Sequence, residues 1–346
     1  MRVLIVKMSS LGDVIHALAA VTDARRALPE IRFDWVVEEA YRDIPAWHPA
    51  VDRVIPVALR RWRKAPLKAL LGGEWRRFRE GLREREYDLV LDAQGLIKSA
   101  WITRKARGPR YGFDRDSARE PLAARAYQHP IAVAKGRHTG QHAVERLRKL
   151  FARALGYPLP QGPAEFGIDR RRFLAEGQTP RGLLFFHGTV RATKCWPEPY
   201  WRELAKHYSE RGTPVALPWG NEAERARAER IAQGLAHVAV LPRMGIKELA
   251  ERIASAEGVV GVDTGLTYLA LALGVPTVAI YGSTDPVIAE AGPGQVFLQA
   301  EFPCAPCFAG TCHYQGEAEV TPACYQTIPP QRVAQTLRAL RAPGEG

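Results

Sequence analysis

Short apolar runs recur along this chain, and most end in a polar or glycine-bearing turn that leads into a segment of helical spacing. In the first half, VLIVK (3–7), FDWVVEE (33–39), VDRVIPV (51–57) and YDLVLDAQ (87–94) read as strands. Near-continuous apolar runs of this length, bounded by turn signals, are the pattern of strands buried on both faces. Between them, residues 13–28, 74–86 and 97–106 carry apolar positions at helical spacing, and helices are expected over much of 120–127 and 141–155. Residues 156–181 break the alternation with GYPLPQGPAEFG and GQTPRG, which places a domain boundary there. The alternation then restarts. Strands are expected at LLFFHGT (183–189), PVALPWG (214–220), VAVLP (238–242), GVVGV (258–262) and TVAIYG (277–282), with helices over 198–212, 222–234, 246–256, 265–273 and 331–341.

Two successive strand–helix series predict an α/β protein built of two doubly wound, Rossmann-like domains, with expected bounds 1–160 and 161–330. The 346 residues agree with this, because single cores rarely grow past roughly 250–300 residues. Doubly wound sheets bind ligands outside the carboxyl ends of their strands. The turns after the strands are therefore where chemistry is to be sought, and a cleft between two such domains suits a two-substrate enzyme.

The first turn, KMSSLGD (7–13), is neither G-x-G-x-x-G nor a P-loop. Asp13 there has two readings. An acid in a first helical turn complements the helix dipole, with Ser9 or Ser10 as cap. The same carboxylate at a strand end could also act as a general base. FFHGTVRATKCWP (185–197) brings hydroxyl residues together with Arg191 and Lys194, which suits an anion site in which Thr189 and backbone N–H groups hold phosphate oxygens. In GVVGVDTGL (258–266), a buried strand runs into Asp263-Thr264-Gly265 and a helix starts at once, leaving free N–H groups as an anion cradle. Asp263 would repel a phosphate, so it caps the helix or orients a sugar hydroxyl. After PVALPWG, Glu222 and Glu224 are both placed to take ribose hydroxyls or simply to start a helix. RRWRK (60–64) suits a phosphorylated or carboxylated acceptor, or a solvated basic face. The D-x-D at 114–116 lacks a clear preceding strand and reads as chance.

Charge adds one constraint. Lysine plus arginine exceed aspartate plus glutamate by 49 to 37, a net +12 that favours anionic partners. The patterns of nucleic-acid readers are absent, so no nucleic-acid partner is expected. A signal peptide and an apolar run of ~18 residues are also absent, and a cytoplasmic protein is expected. Cys304, Cys307, Cys312 and Cys324 crowd one late segment as C-x2-C-x4-C-x11-C, with His313 beside the third. Zinc sites usually use two close pairs, and only the first pair here is close, so reduced thiols without a metal are expected.

MRVLIVKMSSLGDVIHAL, FDWVVEE, RVIPVALRRWRKA, DAQGLIKSA, AREPLA, QHAVER, WPEPYWREL, LPWG, VDTGLTYL and YGSTDP together resemble the heptosyltransferases of glycosyltransferase family 9 over most of the chain. RRWRK and DAQGLIKSA point to the branch that adds the first heptose of the lipopolysaccharide inner core. The resemblance implies a GT-B fold, in which two Rossmann-like domains face a cleft and the C-terminal helix (331–346) crosses back to the first domain. It implies inverting transfer from ADP-L-glycero-D-manno-heptose to the Kdo 5-hydroxyl of Kdo2-lipid A, without metal or cofactor. The enzyme would sit peripherally on the anionic cytoplasmic face of the inner membrane. Asp13 would be the base, and Lys194 would stabilise the departing ADP. The donor would meet Thr189, Lys194, Glu224, Met244, Asp263, Thr264, Gly265 and Leu266, with Met244 along the adenine and Glu224 on the ribose. The acceptor would meet Ser9, Ser10, Gly12, Arg60, Arg61, Arg63, Lys64, Arg119 and His142. Tyr268 departs from a usual histidine and Val190 from a hydroxyl residue, which predicts weaker phosphate contacts there. The cysteine-bearing tail is closer to other members of the wider family. The competing readings are a second heptosyltransferase, a sugar-nucleotide epimerase on a similar fold, and a basic nucleic-acid-binding protein.

Overall fold

The computed structural model describes residues 1–65, 72–134, 142–177, 179–288 and 290–341. It divides into two units, Met1–Ile168 with Ile288–Glu290, and Asp169–Val287 with Ala291–Gly346. The division thus falls eight residues beyond the expected one, within the Gly/Pro-rich stretch.

The first unit carries β1 (Arg2–Val6), β2 (Arg32–Glu38), β3 (Val51–Val57), β4 (Leu89–Asp92), β5 (Arg110–Phe113) and β6 (His129–Ile131). They form one parallel sheet in the order β3-β2-β1-β4-β5-β6. The second carries β7 (Leu183–Phe186), β8 (Val215–Leu217), β9 (Val238–Val240), β10 (Gly258–Val262), β11 (Thr277–Tyr281) and β12 (Gln295–Gln299), also all parallel, in the order β12-β11-β10-β7-β8-β9. Counted from its own first strand, each sheet has the doubly wound order 3-2-1-4-5-6. The direction of winding reverses between β1 and β4 in one unit and between β7 and β10 in the other. These two switch points are where such sheets open a crevice.

The described helices of the first unit are α1 (Leu11–Ala27), α2 (Asp43–Ala46), α3 (Leu59–Lys64), α4 (Glu74–Arg83), α5 (Ile97–Thr103) and α6 (Ala143–Leu155). Those of the second are α7 (Glu198–Ser209), α8 (Glu222–Ala232), α9 (Ile246–Ala254), α10 (Gly265–Ala272) and α11 (Pro330–Arg341).

The central strands are legible because both faces are covered. Val3 to Val6 and β10 are buried throughout. Helix α1 is buried along Val14–Ala24 and packs on α6. Between them lies a buried ion pair: Arg148 Nε donates to Asp23 Oδ2 at 2.6 Å, and its other N–H groups reach the carbonyls of Gly162 (3.0 Å) and Pro160 (3.3 Å). A buried guanidinium is tolerated only when its donors are filled in this way. In the second unit, α7 brings Trp201 against Phe185 and Trp196, and all three rings are buried.

Strands β5, β6 and β12 were not expected. RYGF and HPI are short and hold Gly or Pro, and QVFLQ is a half-buried edge. Residues 121–126 form a 3-10 turn rather than a helix. Within the second unit the last helix, α11, packs on α7, β10 and β11. Residues 141 and 342–346, where expected elements extended, lie outside the described residues. Among the described residues, no helix is long and apolar enough to cross a membrane.

Candidate active site

At the first switch point, β1 runs on through Lys7 and Met8, whose backbone stays paired with β2 (Lys7 N to Val36 O, 3.3 Å; Glu38 N to Met8 O, 3.1 Å). Helix α1 then starts behind Ser10. Asp13 serves both of its readings at once. Its Oδ2 accepts from the Ser10 backbone N–H (2.9 Å) and from the Ser10 hydroxyl (2.7 Å), which closes the helix start. Its Oδ1 faces Lys7 Nζ at 3.6 Å, and the side chain as a whole is 37% exposed. Desolvation alone would raise the pKa of this carboxyl. The Lys7 ammonium, His16 and the two Ser10 hydrogen bonds outweigh it and hold the group well below the ordinary carboxylate range. Asp13 is therefore ionised throughout the neutral range.

The turn after β4 supports this start. Gln94 accepts from Met8 N (2.8 Å) and reaches Ser9 Oγ (3.4 Å). Buried Asp92 fixes Gln94 and Gly95 by their N–H groups (2.8 and 3.0 Å) and accepts from Tyr127 OH at 2.7 Å. Gly12 is buried in the first turn of α1. Arg119 is exposed, and its backbone lies against Gly95. His142 is the N-cap residue of α6.

The basic segment is helix α3, capped by Glu38 at the end of β2 through Leu59 N (3.2 Å) and Arg60 N (2.8 Å). Its arginines divide into two kinds. Arg60 lies on Tyr41, and Arg61 is held by Glu39 and Glu74. Arg63 and Lys64 are exposed, and among the described residues no ion pair ties them. Asp114 closes a local turn by accepting from the Ser117 backbone N–H and hydroxyl.

At the second switch point the loop after β7 is pinned from below. Trp196 is buried and donates to Ile328 O (3.0 Å), and Thr193 donates to Ala309 O (2.7 Å). Pro197 then opens α7. Lys194 is thereby held with Nζ 2.5 Å from Asp263 Oδ2. That oxygen also accepts from Thr284 Oγ1 at 2.7 Å, Oδ1 accepts from Tyr268 OH, and Thr189 Oγ1 donates to the Asp263 carbonyl at 3.1 Å. Asp263 is thus the centre of the site: it neither caps the helix nor stands free. Thr264 is the N-cap of α10, with no side-chain cap bond, and Thr264, Gly265 and Leu266 are half-buried. Gly261 is required beneath them, because a Cβ there would stand 2.1 Å from Thr267 Oγ1.

Tyr268 turns inward. Burial, with Tyr281 and Asp263 beside it, pushes its phenol well above the ordinary range, so it remains a donor to Asp263. Its departure from histidine therefore acts through Asp263. Val190 is fully exposed at the loop tip. Thr284, in the YGSTDP turn after β11, was not among the expected site residues. Its position at a strand's carboxyl end was the available signal.

Packing separates Glu222 from Glu224. Glu222 is 80% exposed and pairs with Arg225. Glu224, in the first turn of α8, accepts from Gly220 N (2.8 Å) and lies against Gly188, in the loop after β7. A Cβ at Gly188 would meet Glu224 Cδ at 2.7 Å. If Glu224 meets the donor as the resemblance implies, Gly188→Ala should displace this carboxylate, leave the fold intact and raise the donor KM about tenfold with little change in kcat, as a lost charge-assisted hydrogen bond would. Steady-state kinetics with varied donor check this. Met244 lies half-buried after β9.

Among the described residues, no group of three or more His, Cys, Asp or Glu side chains stands where it could hold a metal ion. Burial, and then the thiols of Cys304, Cys307 and Cys312, push the Cys324 thiol up to about 12. Cys304 and Cys307 are exposed. Iodoacetamide at mildly alkaline pH should modify those two in the native protein and leave Cys324 unmodified until denaturation, as read by peptide mass spectrometry.

A family model described as Glycosyltransferase family 9 (heptosyltransferase) matches residues 75–317. Lipopolysaccharide heptosyltransferase 1 of Pseudomonas aeruginosa is 54% identical over 351 residues, covering 98% of each chain. Among solved structures, the E. coli heptosyltransferase WaaC with ADP is 44% identical with a TM-score of 0.83, over 98% of this chain and 100% of that one. The same enzyme with ADP-2-deoxy-2-fluoro heptose is 43% identical with a TM-score of 0.80, over 98% and 99%.

Proposed function

Because this chain belongs to glycosyltransferase family 9, the heptosyltransferases, we propose that it transfers L-glycero-D-manno-heptose from ADP-heptose to the 5-hydroxyl of Kdo on Kdo2-lipid A. The reaction inverts the anomeric centre, uses no metal, and takes place at the cytoplasmic face of the inner membrane. The observation that carries this reading is Asp13, an ionised and partly exposed carboxylate at the first switch point, with Oδ2 fixed by Ser10 and Oδ1 facing Lys7.

As the acceptor oxygen bonds to heptose C1, the sugar–phosphate bond breaks and its electron pair leaves on ADP. The hydroxyl proton passes to Asp13 Oδ1. A carboxylate with so low a pKa is a weak base toward a free alcohol. It becomes adequate once the attacking oxygen carries positive charge, so proton transfer accompanies or follows C–O bond formation. Lys194 and the N–H groups at Thr264–Gly265 stabilise the charge growing on the diphosphate. Metal independence is supported by the state of Asp263. This acid is already engaged by Lys194, Thr284 and Tyr268, and the lysine supplies the charge that a cation would. Glu224 takes the ribose and Met244 the adenine.

The test is ADP release from ADP-heptose in EDTA with de-acylated Kdo2-lipid A, followed by NMR of the anomeric centre in the product. We expect acceptor-dependent release and an inverted linkage. Release only with an already heptosylated acceptor would move the enzyme to the second heptose. Loss of activity in EDTA, restored by a divalent ion, would overturn metal independence.

A further inference from the structure

We propose that the outer face of α5, with the turn at 121–126, docks the first unit onto an anionic lipid bilayer. Three of the six large apolar side chains exposed among the described residues gather here: Ile97 at 50%, Trp101 at 45% and Leu122 at 58%. Ile97 and Trp101 are four residues apart and share one helical face. Ala100 packs with Ala123, Ala126 and Tyr127, which ties the turn bearing Leu122 to the same helix. Trp101 is held from behind. It stacks on Trp75 at 4.6 Å, and Trp75 meets Trp62 of α3 edge-on at 5.9 Å.

Cations surround these apolar tips. Lys105 Nζ lies 5.5 Å from the Trp101 ring centre. Lys98, Arg104 and Arg125 are exposed, and the tryptophan ladder leads to exposed Arg63 and Lys64. Of the nearby acids, Glu74 is paired with Arg61 and accepts from Trp62, whereas the exposed Glu120 carboxylate accepts from Ile97 N (2.6 Å) and keeps its charge, so the cations outnumber it. Tryptophan and short apolar side chains insert at the level of lipid headgroups, and surrounding lysine and arginine draw the surface to acidic lipid. Charge complementarity therefore selects the occupant. The proposal deepens the lipid-borne acceptor reading, since a bilayer is where such an acceptor is presented.

The experiment is co-sedimentation of the full chain with vesicles of phosphatidylglycerol and phosphatidylethanolamine, and separately of phosphatidylcholine, all free of glycolipid. Binding to the anionic vesicles only is expected. Trp101→Gln with Leu122→Gln should weaken it at least tenfold, and Lys98→Gln with Lys105→Gln several-fold. Kinetics of both pairs on de-acylated acceptor should match the wild type, which also shows that they fold. Absence of wild-type binding, or undiminished binding by the apolar pair, overturns the proposal. So does an effect of that pair on self-association alone, which would make the face a contact between copies. Because the vesicles carry no acceptor, failure of the acceptor reading leaves this result unaffected, and the reverse holds.

Discussion

Asp13→Asn is expected to lower kcat by about 10³-fold, within the range usual for loss of a general base. Asparagine can still accept the Ser10 backbone N–H, so the start of α1 survives. The variant loses the charge and the capacity to take a proton. Lys7, buried with its ammonium 3.6 Å from the carboxylate, also loses its counter-charge, and some stability goes with it. Asp13→Glu separates the two effects: it keeps a partner for Lys7 but misplaces the basic oxygen, so turnover should fall while stability is retained. Single-turnover rates per folded molecule, with melting curves for both variants, provide the check. Near-normal turnover in the asparagine variant would remove Asp13 from the mechanism. Lys7→Gln should act through pH. Asp13 is depressed in the folded protein, and without the ammonium its pKa rises, so an acid limb should enter the kcat/KM profile where the wild type is flat.

The second large effect concerns Lys194. Lys194→Gln should cost about 10²–10³ in kcat, as loss of a preorganised charge at a leaving group does, and should raise the donor KM. The fold should persist, because Asp263 keeps Thr284 and Tyr268 as donors. Asp263→Asn should behave differently. It strands the Lys194 ammonium in a largely covered position, 19% exposed, and loss of one partner of a buried pair typically costs about 3 kcal/mol. A fall in Tm on the order of 10 °C is expected alongside the loss of activity. Calorimetry beside the donor assay distinguishes the two variants. A melting temperature of Asp263→Asn equal to that of the wild type would show that the pair carries no structural weight.

The framework was readable from the chain because the strands at the two switch points are buried on both faces. VLIVK and GVVGV can hardly be anything else, and each runs into a polar turn at its carboxyl end. Asp13, Lys194 and Thr264 come from that rule. Strands β5, β6 and β12 escaped it, since RYGF, HPI and QVFLQ owe their state to a neighbouring strand rather than to their own pattern. The same limit applied within the site. Nothing local says that Lys194 belongs to Asp263, 69 positions away, or that Tyr268 points inward. Glu222 and Glu224 differ only in which one meets Gly188, and that is a fact of packing.

The ion pair at the centre of the second unit also bears on selectivity. A cell contains abundant inorganic phosphate and free nucleotides, and an open lysine beside a helix start would attract all of them. Lys194 is not open: its charge is already committed to Asp263, so any incoming anion must compete with an internal rival. A small anion brings nothing to offset that exchange. A ligand that also fills the Glu224 and Met244 positions does. If this is the donor site proposed above, the carboxylate acts as a rival that a sugar nucleotide displaces more readily than phosphate does, and inorganic phosphate should inhibit only weakly.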